Sequence, residues 1–331
     1  MTGARGTRED QLAADYTRIR PRLLRTAYAM LGTWADAEDA VADTWLRLVA
    51  ADQREQVDDV EAWAVVAVSR RALDVLRSAR VQREAYIGPW LPEPLVERLA
   101  GPAGPQRPAP VAELADPADR VTLDESVSYA LLVVLETLTP AERTAFVLHD
   151  LFGVPFPEIA GVVGRGPAAV RQLAARARAH VRAGAPRMAV SSAEHQHAVD
   201  EFFRAAAGGD IAGLLAVLDP GVVLTADGGG QATAARRPVH GAERVARFLI
   251  ATAATLSAGQ RVVPLTVNGG PGLALVEPDG SASLIGALTV ADGHILRVDL
   301  VVAPGKLARA RFTPSPAGSA GAGSRAGPGR H

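Results

Sequence analysis

The chain has 331 residues, a formal net charge of −1 and no cysteine. That length allows two or three domains of ordinary size, and near-neutral charge confines any nucleic-acid contact to local patches. The missing thiols exclude disulfides, thiolate metal sites and cysteine nucleophiles and fit a reducing cytosol. No apolar run reaches the roughly 18 residues of a membrane span, and the first residues lack a signal-peptide core, so a soluble cytoplasmic protein without a membrane partner is expected. Lys306 is the only lysine among 35 basic residues, a bias towards arginine that weakens any inference from arginine abundance alone.

From Asp10 to about Arg83 the pattern is helical. Leu23, Leu24, Ala27, Met30 and Leu31 recur at three- and four-residue spacing, and Gly32 ends that helix. The segment 36–50 opens with acids in its first turn, favourable to the helix dipole, and carries Ala37, Val41, Trp45 and Leu48 on one face. A third helix, 61–80, sets Val65, Val68, Ala72, Val75 and Ala79 on one face and Arg70, Arg71, Asp74 and Arg77 on the other. Residues 101–119, with Pro102, Pro105, Pro108, Pro110 and Pro117, show no periodicity and read as linker. Before them, Trp90-Leu91-Pro92-Glu93-Pro94 is too rigid and aromatic for an ordinary spacer. Its prolines bias it towards extended backbone, so it enters a contact partly ordered, either docked near the glycine clusters of the C-terminal part or as a local cap over the first helical domain.

Helices resume near Leu123. Thr139-Pro140-Ala141-Glu142 is a helix start, with a hydroxyl cap, a first-turn proline and a glutamate three residues past the cap. That helix closes at Gly153, and two helices, 157–163 and 167–183, follow with helix-turn-helix spacing. The second holds Arg171, Arg176, Arg178 and Arg182 without an acid. It fits a helix lying in a major groove, or a helical hairpin with a solvated basic face. The arginines of the 61–80 helix are open to the same two readings, and the acidic face of 36–50 is either solvated surface or a docking face for a basic partner.

After Ser191 the character changes. One amphipathic helix, 194–207, leads into alternating or apolar runs bounded by Asp227-Gly228-Gly229-Gly230, Asn268-Gly269-Gly270-Pro271-Gly272 and further turn signals, as expected of an antiparallel sheet. From Ala303 the Gly/Ser/Ala/Pro/Arg-rich composition reads as a disordered tail.

Taken together, 28–48 and 62–80 resemble region 2 of extracytoplasmic-function (ECF) RNA polymerase sigma factors, and 138–178 resembles their region 4. WLPEP at 90–94, with the glycine clusters at 227–230 and 268–272, is similar to the subgroup with a C-terminal SnoaL-like (NTF2-like) extension. The resemblance implies a multidomain chain: two all-α sigma domains, a region 2 helical bundle (10–84) and a region 4 helix-turn-helix (123–187), joined by a linker (85–122). A C-terminal α+β NTF2-like/SnoaL-like cone (192–307) and a disordered tail (308–331) follow. Implied partners are core RNA polymerase, through its β′ clamp helices and β flap, and promoter DNA. Asp36, Glu38, Asp39, Asp43 and Trp45 would dock on the polymerase. Arg70, Arg71, Arg77 and Arg80 would serve −10 capture, and Arg165, Arg171, Gln172, Arg176 and Arg178 the −35 element. Two departures stand out. Arg71 occupies a position where relatives often have asparagine, and Ala303-Pro304-Gly305-Lys306-Leu307 replaces an Asn-Pro-Asp-Lys-Leu motif, keeping Lys306 but not the acid.

For the C-terminal domain three roles are open: enzyme, ligand sensor, or a brace acting in cis through Trp90–Pro94, the two glycine clusters and Lys306. The acid–base candidates His195, His197, Asp210, Asp227, His240, Asp292, His294 and Asp299 show no spacing that forces two together, so no catalytic residue, metal or cofactor is expected. The expectation is a promoter-recognition factor regulated in cis and not itself an enzyme. The rivals are a one-component helix-turn-helix regulator with a ligand-binding NTF2-like domain, and a SnoaL-type isomerase fused to a DNA-binding module.

Overall fold

The computed structural model describes residues 2–84, 86, 88–98, 127–184, 192–232 and 234–313; the linker 101–119 and the tail beyond 313 lie outside the described residues. Three long helices, α1 (Thr2–Leu31), α2 (Trp34–Asp52) and α3 (Val60–Glu84), pack on one another through the apolar faces read from the sequence. Gly32 ends α1 at φ 77°, and a Cβ there would meet Glu136 Oε1 at 2.6 Å, so glycine is required by both backbone and neighbour.

The second helical unit holds α4 (Tyr129–Leu135), α5 (Pro140–Phe146) continuing as a π-helical turn over Val147–Leu151, α6 (Phe156–Val163) and α7 (Pro167–Gly184). At the start of α5, Thr139 accepts from the Glu142 backbone N–H while Glu142 reaches back to the Thr139 N–H, completing the expected capping box. Gly164, at φ 71°, turns α6 into α7. Ile159, Val163, Val170, Leu173 and Ala177 are buried and belong to the same continuous core as Leu23, Leu48 and Val68 of the first unit. The two helical units therefore share one core.

The last unit is α+β. Helices α8 (Ser192–Gly208) and α9 (Ile211–Val217) precede strands β2 (Leu218–Asp227) and β3 (Val239–His240), helix α10 (Ala242–Ala253), and strands β4 (Arg261–Val267), β5 (Gly270–Val276), β6 (Ala282–Ala291) and β7 (His294–Val301). A short helix, α11 (Pro304–Leu307), follows. The sheet is seven-stranded, but its edge strand β1 (Val96–Arg98) comes from the segment after WLPEP and pairs antiparallel with β4. The expected all-antiparallel sheet is corrected in one place: β2 runs parallel to β7, because the chain crosses through β3 and α10 before building β4–β7. Three helices, α9, α10 and α11, were not read from the sequence.

One face of the sheet packs Leu224, Leu288, Val298 and Leu300 against α8–α10. The opposite face carries Leu265, Val267, Ala274, Ile285, Ala287 and Val301 and is covered by Leu91, Tyr129, Leu307 and Phe312. The ordered chain thus passes the expected tail boundary at 308. Ala310 and Phe312 are buried at the end of this second face, so apolar spacing overrides the low-complexity composition as far as Thr313.

Candidate functional site

The residues expected to meet a polymerase lie along α2. Asp36 accepts from the Thr33 hydroxyl, Asp39 is exposed, and Asp43 pairs with Arg47 at 3.0 Å and Arg71 at 3.5 Å. Trp45 is half-buried with its ring 5.1 Å from Tyr16, so much of it serves the bundle core. The side chain that sequence reasoning passed over is Leu46, 68% exposed beside the acids and the most exposed large apolar residue of the described chain. Glu38 does not stand alone: Arg309, from the last described segment, pairs with it and lies 3.8 Å from Glu93.

Of the residues expected to hold the −10 element, Arg70 is exposed and donates to the Gly161 carbonyl of α6 at 3.2 Å. Arg71 leans on Asp43 and Arg77 lies 3.8 Å from Asp74; the Arg80 side chain lies outside the described residues. Arg165, in the turn before α7, and Arg171 and Gln172 on α7 are exposed, with the Arg171 guanidinium 5.9 Å from the centre of the Phe156 ring. Arg176 is mostly exposed and donates to Glu142 at 3.0 Å, whereas Arg178 turns back to Asp150 at 2.6 Å. The structure therefore brings the two sets of arginines into one body, with α3 packed on α6.

The tightest constellation is the junction around WLPEP. Asp227, fully buried, accepts from the Leu91 backbone N–H at 2.9 Å, the Gly229 N–H at 2.9 Å, the Tyr86 hydroxyl and Lys306 Nζ at 2.6 Å. Lys306 also donates to the Leu91 carbonyl and stands 3.2 Å above the centre of the Trp90 ring, a cation–π contact. Four donors occupy the four lone-pair directions of the Asp227 carboxylate, which makes it a structural acceptor. At the second glycine cluster, Asn268, at φ 47°, accepts from the Leu95 N–H through its side chain, donates its own N–H to the Leu95 carbonyl at 2.8 Å, and reaches the Tyr28 hydroxyl at 3.0 Å.

The same strip grips the helical units. Glu93 donates its N–H to the Gly32 carbonyl and accepts the Trp34 N–H at 2.7 Å on its side chain, capping the start of α2. Tyr28 donates to the Glu93 carbonyl and Tyr129 to the Pro92 carbonyl. Beside it, buried Arg143 donates twice to the Ala29 carbonyl at the end of α1 and pairs with Glu136 at 2.7 Å. Burial pushes the Glu93 carboxyl above its usual range against the opposing pull of the Trp34 N–H and Arg309. It does the same to Asp299, which Arg297 only partly offsets, and raises the Tyr129 hydroxyl strongly. Tyr28, Tyr129, Arg143 and Arg309 carry no local sequence signal, because apart from Glu136 beside Arg143 their partners are backbone carbonyls or acids far along the chain.

Of the remaining acid–base candidates, Asp210 caps α9, Asp292 sits in a turn at φ 49°, and His197, His240 and His294 are exposed. The His195 side chain lies outside the described residues. Among the described residues no group of acids and histidines could hold a metal, and no helix is long and apolar enough to cross a membrane.

A model of Sigma-70 region 2 matches residues 16–81 and one of Sigma-70, region 4 matches residues 128–181. The ECF RNA polymerase sigma factor SigJ of Mycobacterium tuberculosis is 41% identical over 239 residues, 72% of either protein. The probable ECF RNA polymerase sigma factor SigI of the same species is 34% identical over 306 residues, 91% of this chain and 96% of the relative. The crystal structure of Mycobacterium tuberculosis extracytoplasmic function sigma factor SigJ shares the whole arrangement, with a TM-score of 0.70 and 34% identity across 91% of this chain and 100% of that one. With regions 2 and 4 in order and an α+β domain behind them, the chain belongs to the ECF RNA polymerase sigma factors.

Proposed function

We propose that this sigma factor docks α2 on the β′ clamp helices of core RNA polymerase and region 4 on the β flap. In this reading it captures the −10 element with α3 and the segment after it, and reads the −35 element with α7. The C-terminal domain holds the other two in cis. The observation that carries the regulatory part is the packing of α3 on α6, with Arg70 bonded to Gly161 and the WLPEP strip tied to both units. Elements named −10 and −35 lie about 25 base pairs apart, on the order of 85 Å at about 3.4 Å per step. A body in which the two reading units touch cannot place them that far apart. Promoter recognition therefore requires opening, and Asp227, Lys306 and Asn268 fasten the strip against it.

The factor works where RNA polymerase works, in the cytoplasm, and catalysis is left to the polymerase. The saturated Asp227 and the Asp299–Arg297 pair favour a brace over an acid–base centre. The deciding experiment is transcription with the full chain and core polymerase on a genomic promoter library. Transcripts from a defined promoter set are expected. Duplex binding without initiation would favour the one-component regulator instead, and turnover of a small molecule that depends on Asp227 or Asp299 would favour the isomerase.

A further inference from the structure

A cavity of about 470 Å³ lies where all three units meet. Its walls are Leu76 of α3, Trp90 of the strip, Val133 and Leu138 of region 4, and Thr225 and Arg297 of the sheet. It sits on the sheet face turned towards the helical units, opposite the face covered by α8–α10, and its volume is in the range of small-molecule sites.

We infer that this cavity binds an uncharged, mainly apolar molecule carrying a hydrogen-bond acceptor, and that its occupancy holds the factor closed; this rests on the in-cis reading above. The charges on the wall cancel in pairs. Arg143 is bonded to Glu136 and Arg297 to Asp299, so neither an anion nor a cation finds an uncompensated partner. The hydroxyls of Thr137 and Thr139 are turned to Val134 and Glu142. The Arg297 guanidinium is different: it spends two of its five N–H groups on Asp299, at 3.3 and 2.9 Å, and is about a quarter exposed. Its other N–H groups supply the directional contact, and the Trp90 ring and the aliphatic side chains supply the apolar one. Because region 2, the strip, region 4 and the sheet each contribute a wall, the site exists only in the closed arrangement. Ligand at a hundred times its dissociation constant therefore lowers the open fraction about a hundredfold.

The probe is Nile red, a neutral dye with a carbonyl acceptor, titrated into the full chain. A saturable one-to-one rise in fluorescence is expected, at least tenfold weaker in Thr137→Trp, whose ring enters the cavity from an exposed position. Val133→Phe fills the same space from α4 and serves if the first variant melts early. Dye occupancy should lower promoter output with core polymerase about tenfold or more, and leave the output of the filled variant unchanged. Absence of saturable binding, equal affinity in both filled variants, or full occupancy with unchanged output each overturns the inference. Asp227→Asn separates the two readings. If that variant transcribes like the parent, the in-cis reading fails whatever the dye does; if its output changes, a failed titration condemns the cavity alone.

Discussion

Replacing Asp227 by asparagine changes the central fastener by one atom while keeping its size. The carboxylate receives four donors, two on each oxygen. The amide oxygen of asparagine can keep the Oδ2 pair, Lys306 and Leu91 N–H, but its NH2 then faces Tyr86 and Gly229. The Tyr86 hydroxyl can turn to accept; the Gly229 N–H cannot, and leaving a buried donor unsatisfied costs about 1–3 kcal/mol. Losing the charge on one side of the Lys306 pair adds about 1 kcal/mol or more, since charge-assisted bonds are worth roughly twice neutral ones. A total near 3 kcal/mol corresponds to a shift of roughly 150-fold in the ratio of docked to released strip. Small-angle scattering should then report a larger radius of gyration, trypsin should cut the connector faster, and promoter output should rise. A double-mutant cycle with Lys306→Met should recover coupling of at least 1 kcal/mol, because the two side chains act through one contact. Unchanged scattering, proteolysis and output in Asp227→Asn would refute the reasoning.

Four further outcomes follow from named contacts. Arg309→Ala removes an exposed pair from Glu38, worth about 0.2–1 kcal/mol, and should tighten binding to core polymerase by up to about fivefold if Glu38 belongs to the docking face; weaker binding in a fluorescence-anisotropy titration would show that Arg309 instead contacts the polymerase. Glu93 has its folded pKa raised by burial, so its ionised form costs stability that is relieved as pH falls through that raised value towards the ordinary glutamate range. Glu93→Gln should therefore melt at or above the parent at pH 8 and lose that advantage near pH 5, a trend that parallel melting curves would contradict. Gly32→Ala combines about 1–2 kcal/mol of left-handed strain with a clash against Glu136, and should lower the melting temperature by several degrees; an unchanged melt would mean that the backbone and the Glu136 side chain both relax. Arg176→Ala should cost roughly 1–3 kcal/mol at one base pair of the upstream element, whereas equal weakening on all sequences would make it a phosphate contact.

Much of the helical half was legible because its signals are local. The Thr139–Glu142 capping box, the Gly164 turn and the buried stripe of α7 each depend on residues within one or two turns. Trp90–Pro94 was legible as an anomaly, since two prolines around an acid beside an aromatic ring have no use in a solvated spacer. Its partners at Asp227 and Asn268 were visible as glycine-flanked turn residues, but the contacts themselves span 136 and 173 residues of sequence. The parallel pairing of β2 with β7 and the edge strand β1 escaped for the same reason, because a strand of three residues exists only where another edge receives it. Ala310 and Phe312 were lost in composition: a low-complexity tail and the last apolar contacts of a core look alike until the surface they cover is known.

That second sheet face supplies the coupling that the in-cis reading proposed above requires between closure and function. A sheet with one face on its own helices needs something over the other, and here Leu91 and Tyr129 are among the side chains that supply it, each at most 4% exposed. Fully burying two such side chains stabilises the closed form by about 3–6 kcal/mol at roughly 1.5–3 kcal/mol each. The strip cannot leave the sheet without exposing that surface, and Glu93 cannot leave Trp34 without uncapping α2, the helix proposed above to dock on polymerase. Under the proposed docking, core polymerase would have to offset the lost contacts through its own contacts with α2 before regions 2 and 4 could separate. If polymerase binds only the opened form, as proposed, then binding and opening form one linked equilibrium, and a ligand or substitution that shifts the sheet contact shifts polymerase affinity by the same factor.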